Sequence, residues 1–143
     1  MTSPERTVPD YLLAEGFNAH FQSDGNIAFY YEDYLYQLCF DARDPEFGHL
    51  VLPLCWKVSD SPLLNDVLEC VDLVNRSLKV AKAYTRSDQV SFAIEIWLGD
   101  QADWSRYLQR ALRILDYARA KFSEHMAIRM AAHAAIPIEA SIH

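Results

Sequence analysis

The stretch SPLLNDVLECVDLVNRSLKVAKAYTRSDQVSFAIEIWL, residues 61–98, decides the fold. Leu64, Val67, Leu68, Val71, Val74 and Leu78 recur at helical spacing, whereas Val90, Phe92, Ile94, Ile96 and Leu98 alternate with period two. The period changes inside one stretch, which predicts a helix laid on a sheet. Ser61-Pro62 suits a helix start, because the serine oxygen accepts from free first-turn N–H groups and proline fits the first helical position. Two strands follow, over residues 80–86 and 89–98, joined tightly at Ser87-Asp88.

Upstream, residues 4–15 suggest a short first helix with Gly16 at a left-handed C-terminal cap. Residues 17–22 then alternate, and Ser23-Asp24-Gly25-Asn26 closes a hairpin with residues 27–31. Glu32-Asp33 turns the chain into a third strand, residues 34–40. A polar loop with Pro45 follows. Residues 49–56 read as an edge strand or an extended segment, because Pro53 has no N–H to give a central ladder.

Downstream, Asp100 or Asp103 begins the last helix, whose stripe is Trp104, Tyr107, Leu108, Ala111, Leu112, Leu115, Ala118 and Phe122. An Ala- and Met-rich run continues to Ala135, and Pro137 is expected to end it. The order is α-β-β-β-(β)-α-β-β-α. Antiparallel hairpins with three main helices define an α+β class. One domain is expected over residues 1–143, with its core over about 10–122 and residues 123–143 as a helical extension or tail.

A chain of 143 residues buries roughly 68 to 70% of its unfolded surface, enough for a core that needs neither metal nor disulfide. Cys39, Cys55 and Cys70 are odd in number and lack paired spacing, so they read as buried reduced thiols. No basic region precedes an apolar run at the N-terminus, and no stretch approaches the ~20 apolar residues of a membrane span, so the expected location is the cytoplasm. The net charge of −7 is divided unevenly: residues 1–72 carry 3 Lys+Arg against 13 Asp+Glu (−10), and residues 73–143 carry 10 against 7 (+3). An acidic balance argues against nucleic acid as partner, whereas the split suits steering between subunits.

From residue 12 to about 122 the chain resembles the YbjN domain family of bacteria, which shares the type III secretion chaperone-like fold. The pieces that carry the likeness are LLAEGF (12–17), DGNIAFYYEDYLYQL (24–38), DARDPEF (41–47) and above all VNRSLKVAKAY (74–84), followed by a hairpin and a long terminal helix. The resemblance implies a small, often dimeric, non-enzymatic cytoplasmic domain with a regulatory role, related to chaperones that bind extended segments of secreted proteins. It brings no catalytic residues.

The residues themselves spell out no reaction. The five histidines fall in no paired ligand motif, the four glycines are too scattered to cradle phosphates, and Glu32, Asp33, Asp41, Asp44 and Glu46 lack the spaced loop that wraps a cation. No cofactor is expected. Asn75, beside the helix stripe, reads as a buried amide bonded to strand backbone. Arg106, Arg110 and Arg113 read as a solvated helix face, with docking to an acidic partner as the second reading.

Aromatic crowding carries the functional expectation. Residues 34–40 are apolar on both faces, which means both are covered, either by the chain's own helices or by a partner. The candidate partner-binding residues are Tyr30, Tyr36 and Trp97, with Lys82 and Arg86 setting orientation. The expected function is a protein-binding domain, itself a homodimer, that holds an extended or amphipathic segment. The alternative is a small-molecule sensor with an aromatic pocket lined by the same strands.

Overall fold

The computed structural model describes residues 8–60 and 64–142, with side chains described for 8–53, 56–59 and 64–134. Ser61-Pro62 lies outside these residues, as do the first residues of the expected N-terminal helix and the side chain of Cys55. The elements are α1 (Val8–Ala14), β1 (Ala19–Phe21), β2 (Ile27–Tyr31), β3 (Tyr34–Cys39), β4 (Phe47–Lys57), α2 (Leu64–Ser77), β5 (Ala81–Arg86), β6 (Gln89–Trp97) and α3 (Trp104–Ile142). The chain is α+β, with one antiparallel six-stranded sheet in the order β1-β2-β3-β4-β6-β5.

Local chemistry sets the boundaries. Gly16 adopts φ +80°, and the N–H groups of Phe17 and Gly16 donate to Leu12 O (3.0 Å) and Leu13 O (3.2 Å), the paired bonds of a Schellman cap. Glu32 (φ 50°) and Asp33 (φ 69°) both take positive φ, as a two-residue hairpin turn matched to strand twist requires. Asp100 and Asp103 form a reciprocal capping box over a single 3-10 turn that leads into α3.

The expectation that residues 49–56 form an edge strand is overturned. β4 is central, paired with β3 on one side and with β6 on the other. Its register with β6 shifts between Leu52 and Trp56, so Pro53 sits in a bulge where the ladder asks for no N–H. A proline is thus accommodated in a central strand at an irregularity of its pairing.

α3 supplies most of the cover on one sheet face. Trp104, Leu108, Ala111, Leu112, Leu115, Ala118 and Phe122 are buried as expected, but Tyr107 is exposed. The Phe122 ring meets Trp56 at 5.6 Å and Phe92 at 5.8 Å between centroids. The core runs past residue 122, since Met126 is fully buried and Met130 packs against it. Arg129 reaches both Asp66 and Glu69 on α2, and His133 Nε2 lies 2.6 Å from Asp66 Oδ2. Nor does Pro137 stop the helix, which continues to Ile142. Proline's fixed φ is itself helical, so its cost is the lost N–H bond and local crowding, not a change of backbone region.

In α2 the buried face is Val67, Cys70 and Val74, while Leu64 and Leu68 are exposed. Asn75 is exposed rather than buried, yet it makes the bonds expected of it: Nδ2 donates to Ala83 O (3.1 Å), and Ala83 N donates to Oδ1 (2.7 Å). One amide therefore occupies both backbone groups that edge strand β5 would offer a further strand at Ala83. Just before it, Ala81 N donates to Lys79 O (2.8 Å) across Val80, whose φ is 74°. This is a strained γ-turn, costly for a β-branched residue by roughly 1–3 kcal/mol. Between them the turn and the amide blunt the sheet edge.

Two substitutions test this packing. Asn75→Ala removes both bonds to Ala83 and is expected to cost about 1–2 kcal/mol in denaturant unfolding, with concentration-dependent association through the opened edge; a wild-type midpoint would contradict the clamp. Gly48 lies against the far end of the core: a Cβ there would sit 2.9 Å from Leu98 Cδ1 and 3.1 Å from Trp104 Cζ2. Gly48→Ala is expected to lower stability by about 1–3 kcal/mol through overpacking, read from the same unfolding curves.

Candidate interaction surface

Strand alternation divides the sheet into two unlike faces. Ile27, Phe29, Tyr36, Leu38, Leu50, Leu52, Phe92 and Ile94 point into the helix-covered core. Register places Ala28, Gln37, Val51, Ala93 and Lys82 in one row across the opposite face, with Cys39, His49 and Glu95 in the next. Phe47 and Trp97 form a pair at one end of that face. Tyr30 pairs with Leu35 on the β2–β3 side. The small residues Ala28, Val51, Ser91 and Ala93 are buried without joining the core cluster, shielded by their longer neighbours. Val51 and Ser91 also line a shallow concavity of about 420 Å3, together with Gln37, His49, Tyr84 and Arg86.

Of the expected partner-binding residues, Tyr30, Trp97, Lys82 and Arg86 share this face. Trp97 is 86% exposed and Tyr30 48%. They are spread from β2 to β5, four strand spacings or about 20 Å. Tyr36 does not belong with them: it is 0% exposed, points into the core and stacks on Phe29 at 5.9 Å. Period two sends Tyr36 to the face opposite Leu35, Gln37 and Cys39, so the two-sided apolarity of β3 reflects one helix-covered face and one open face. Tyr84 is the one Phe, Tyr or Trp that lines this concavity.

The polar groups of the face are partly tied together. Lys82 Nζ lies 2.7 Å from Glu95 Oε1 and 5.5 Å from the centre of the Tyr84 ring. His49 Nε2 stands 3.5 Å from the same Glu95 oxygen, at ion-pair distance but without hydrogen-bond alignment. Burial pushes the His49 pKa down, and Lys82 adds to this, against the opposing pull of Glu95. Sequence reasoning missed His49, Val51 and Glu95, although Ser91, Ala93, Glu95 and Trp97 alternate visibly with the apolar side of β6.

Charge is polarised along the strands. Lys57, Gln89 and Arg86 make the row at one end. Glu95 and the 41–46 loop, with Asp44 and Glu46 exposed and Asp41 half-buried, mark the other. The Arg43 backbone N–H, more than its side-chain charge, holds Asp41 below the usual carboxylate range. Burial raises the thiol pKa of Cys39 and of Cys70, both free, which keeps them protonated and poorly nucleophilic. Among the described residues no group of three His, Cys, Asp or Glu side chains converges as a metal site, and no helix is long and apolar enough to cross a membrane.

No family model matches this chain, and no curated protein matches it. A solved structure does: an uncharacterized protein from Methanothermobacter thermautotrophicus, at a TM-score of 0.63 and 10% identity, covering 88% of this chain and 98% of that one. At that identity the likeness establishes a shared fold.

The depressed His49 pKa gives a pH test. Because the folded pKa lies below the unfolded one, the stability tied to neutral His49 is complete above the usual histidine value of about 6.5 and is lost as pH falls through the folded value. Imidazole NMR titration is expected to place His49 below the usual histidine value of about 6.5, and His49→Gln to flatten the acid limb of stability. A His49 pKa above the usual value would contradict the desolvated setting.

Proposed function

We propose that the chain is a non-enzymatic protein-binding domain, chaperone-like or regulatory, which holds an extended or amphipathic segment of a partner protein against the uncovered sheet face. The observation that carries this is the face itself: a floor of small side chains, exposed Trp97 and Tyr30 at separate margins, and cations at one end. A large aromatic standing free beside a shallow floor is the usual make-up of an interface anchor. The partner docks on the face, because Asn75 and the γ-turn occupy the β5 edge at Ala83 and Ala81 and the opposite edge strand, β1, has only three residues. The resemblance to the YbjN family points the same way, toward a cytoplasmic regulator.

The charge gradient also favours self-association. A two-fold axis lying in the interface, across the strands, reverses strand direction between copies. Each Lys57–Arg86 end would then meet the acidic end of the other.

A photo-crosslinking residue at position 97, introduced into the native cell, is expected to yield one discrete polypeptide adduct that the same residue at exposed position 117 does not. The peptide segment mapped from that adduct is expected to bind purified protein in solution, and Trp97→Ala to weaken it by about 2 kcal/mol or more, as interface anchors do. A strict monomer at micromolar concentration, with no adduct at position 97, contradicts both the partner and the dimer.

A further inference from the structure

On the helix side of the sheet, away from the face just described, a second concavity opens between the start of β5, the end of β6 and the first turns of α3. It has a volume of about 310 Å3. Its apolar wall is Val80, Ile94, Ile96, Ala111 and Ile114, and Lys79 and Arg110 line it with no carboxylate among the lining residues. Two departures from ordinary packing meet there. Val80 holds a positive φ and is 57% exposed, although a β-branched residue at a strained turn gains nothing by facing water. Tyr107, which the helical stripe assigns to the core, is 41% exposed at the cleft with Arg106 Cζ 5.8 Å from its ring.

We propose that this cleft binds a small free amphiphilic anion, an apolar body with one carboxylate, the body lying on Ile94, Ile96 and Ile114 and the carboxylate between Lys79 and Arg110. Size and charge both select this class. The volume is at the lower end for small-molecule sites, roughly 300–1,000 Å3, and apolar walls with a few convergent polar groups are their usual lining. Two cations with no carboxylate among the described lining residues, in a chain of net charge −7, favour an anion locally. The planar guanidinium of Arg110 can grip a carboxylate through two parallel bonds. A peptide strand is the poorer occupant, because beside the cleft the edge is already occupied at Ala81 N, bonded to Lys79 O, and at both backbone groups of Ala83, bonded to Asn75. Lys79 and Arg110 are exposed and carry no core packing, so the site is removable without unfolding the domain.

Decanoate is the probe, titrated below its micelle concentration into protein carrying labelled methyl groups, with decyltrimethylammonium as a control of equal tail and opposite charge. Saturable shifts are expected at Val80, Ile94, Ile96 and Ile114 and not at Val51 or Leu35, together with a higher melting temperature. The cationic control, and decanoate on the Lys79→Glu/Arg110→Glu variant, are each expected to bind about tenfold or more weakly, the effect of one well-formed charged contact. Arg110→Ala alone serves if the double variant is unstable. Equal affinity for the two amphiphiles, shifts confined to the open face, or no saturable shift would overturn the proposal. The cleft and the protein-binding face lie on opposite sides of the sheet, so neither result decides the other.

Discussion

One helix-bearing layer covers one face of a six-stranded sheet, and everything else in this molecule follows from that asymmetry. α3 lays Trp104, Leu108, Leu112, Leu115, Phe122 and Met126 along the sheet, and α1 and α2 fill the flanks with Tyr11, Leu12, Val67 and Val74. Such a layer buries side chains of one parity only. The other parity faces away from that layer, where the strands place small residues, Ala28, Val51, Ser91 and Ala93, low among longer neighbours. The residues that remain prominent, Trp97 above all, stand out against that floor.

Edges and strain fit the same picture. A long exposed strand edge invites pairing with any other chain, and this one is occupied at Ala83 by a single amide reaching over from α2. The γ-turn at Val80 spends backbone strain to satisfy Ala81 and at the same time leaves an apolar side chain at the mouth of a cleft lined by Lys79 and Arg110. Two surfaces of different character result, a broad shallow face and a small apolar cleft. On the functional reading above, the first takes protein and the second takes a small anion.

Much of the architecture was legible in the residues. The change of period between residues 78 and 90 locates the helix-to-hairpin join, the turn residues locate three hairpin reversals, and the place of Asn75 beside the α2 stripe points its amide at strand backbone. Pro53 misled, because a one-dimensional rule about ladder donors knows nothing of a bulge that removes the demand. Pro137 misled for a related reason: the rule weighs a lost bond, not the helical φ that proline already has. Tyr107, Leu64 and Leu68 kept helical periodicity yet face outward, since periodicity fixes a stripe but not its width. Tyr36 was placed in the wrong environment because nothing in a strand's own sequence says which of two apolar faces a helix will take. The concavity around His49 spans four strands, and no local pattern encodes such a neighbourhood.

The central claim is that the sheet face bearing Trp97 is bare in the isolated chain and covered in the cell. Hydroxyl-radical footprinting of dilute purified protein and of the same protein in its native cells tests this directly, with exposed Tyr117 on the helix side as internal reference. The account predicts strong oxidation of Trp97 and Tyr30 in the dilute sample, protection of both in cells, and equal oxidation of Tyr117 in the two. Oxidation of Trp97 that is undiminished in cells, or already suppressed in the dilute chain, would contradict it.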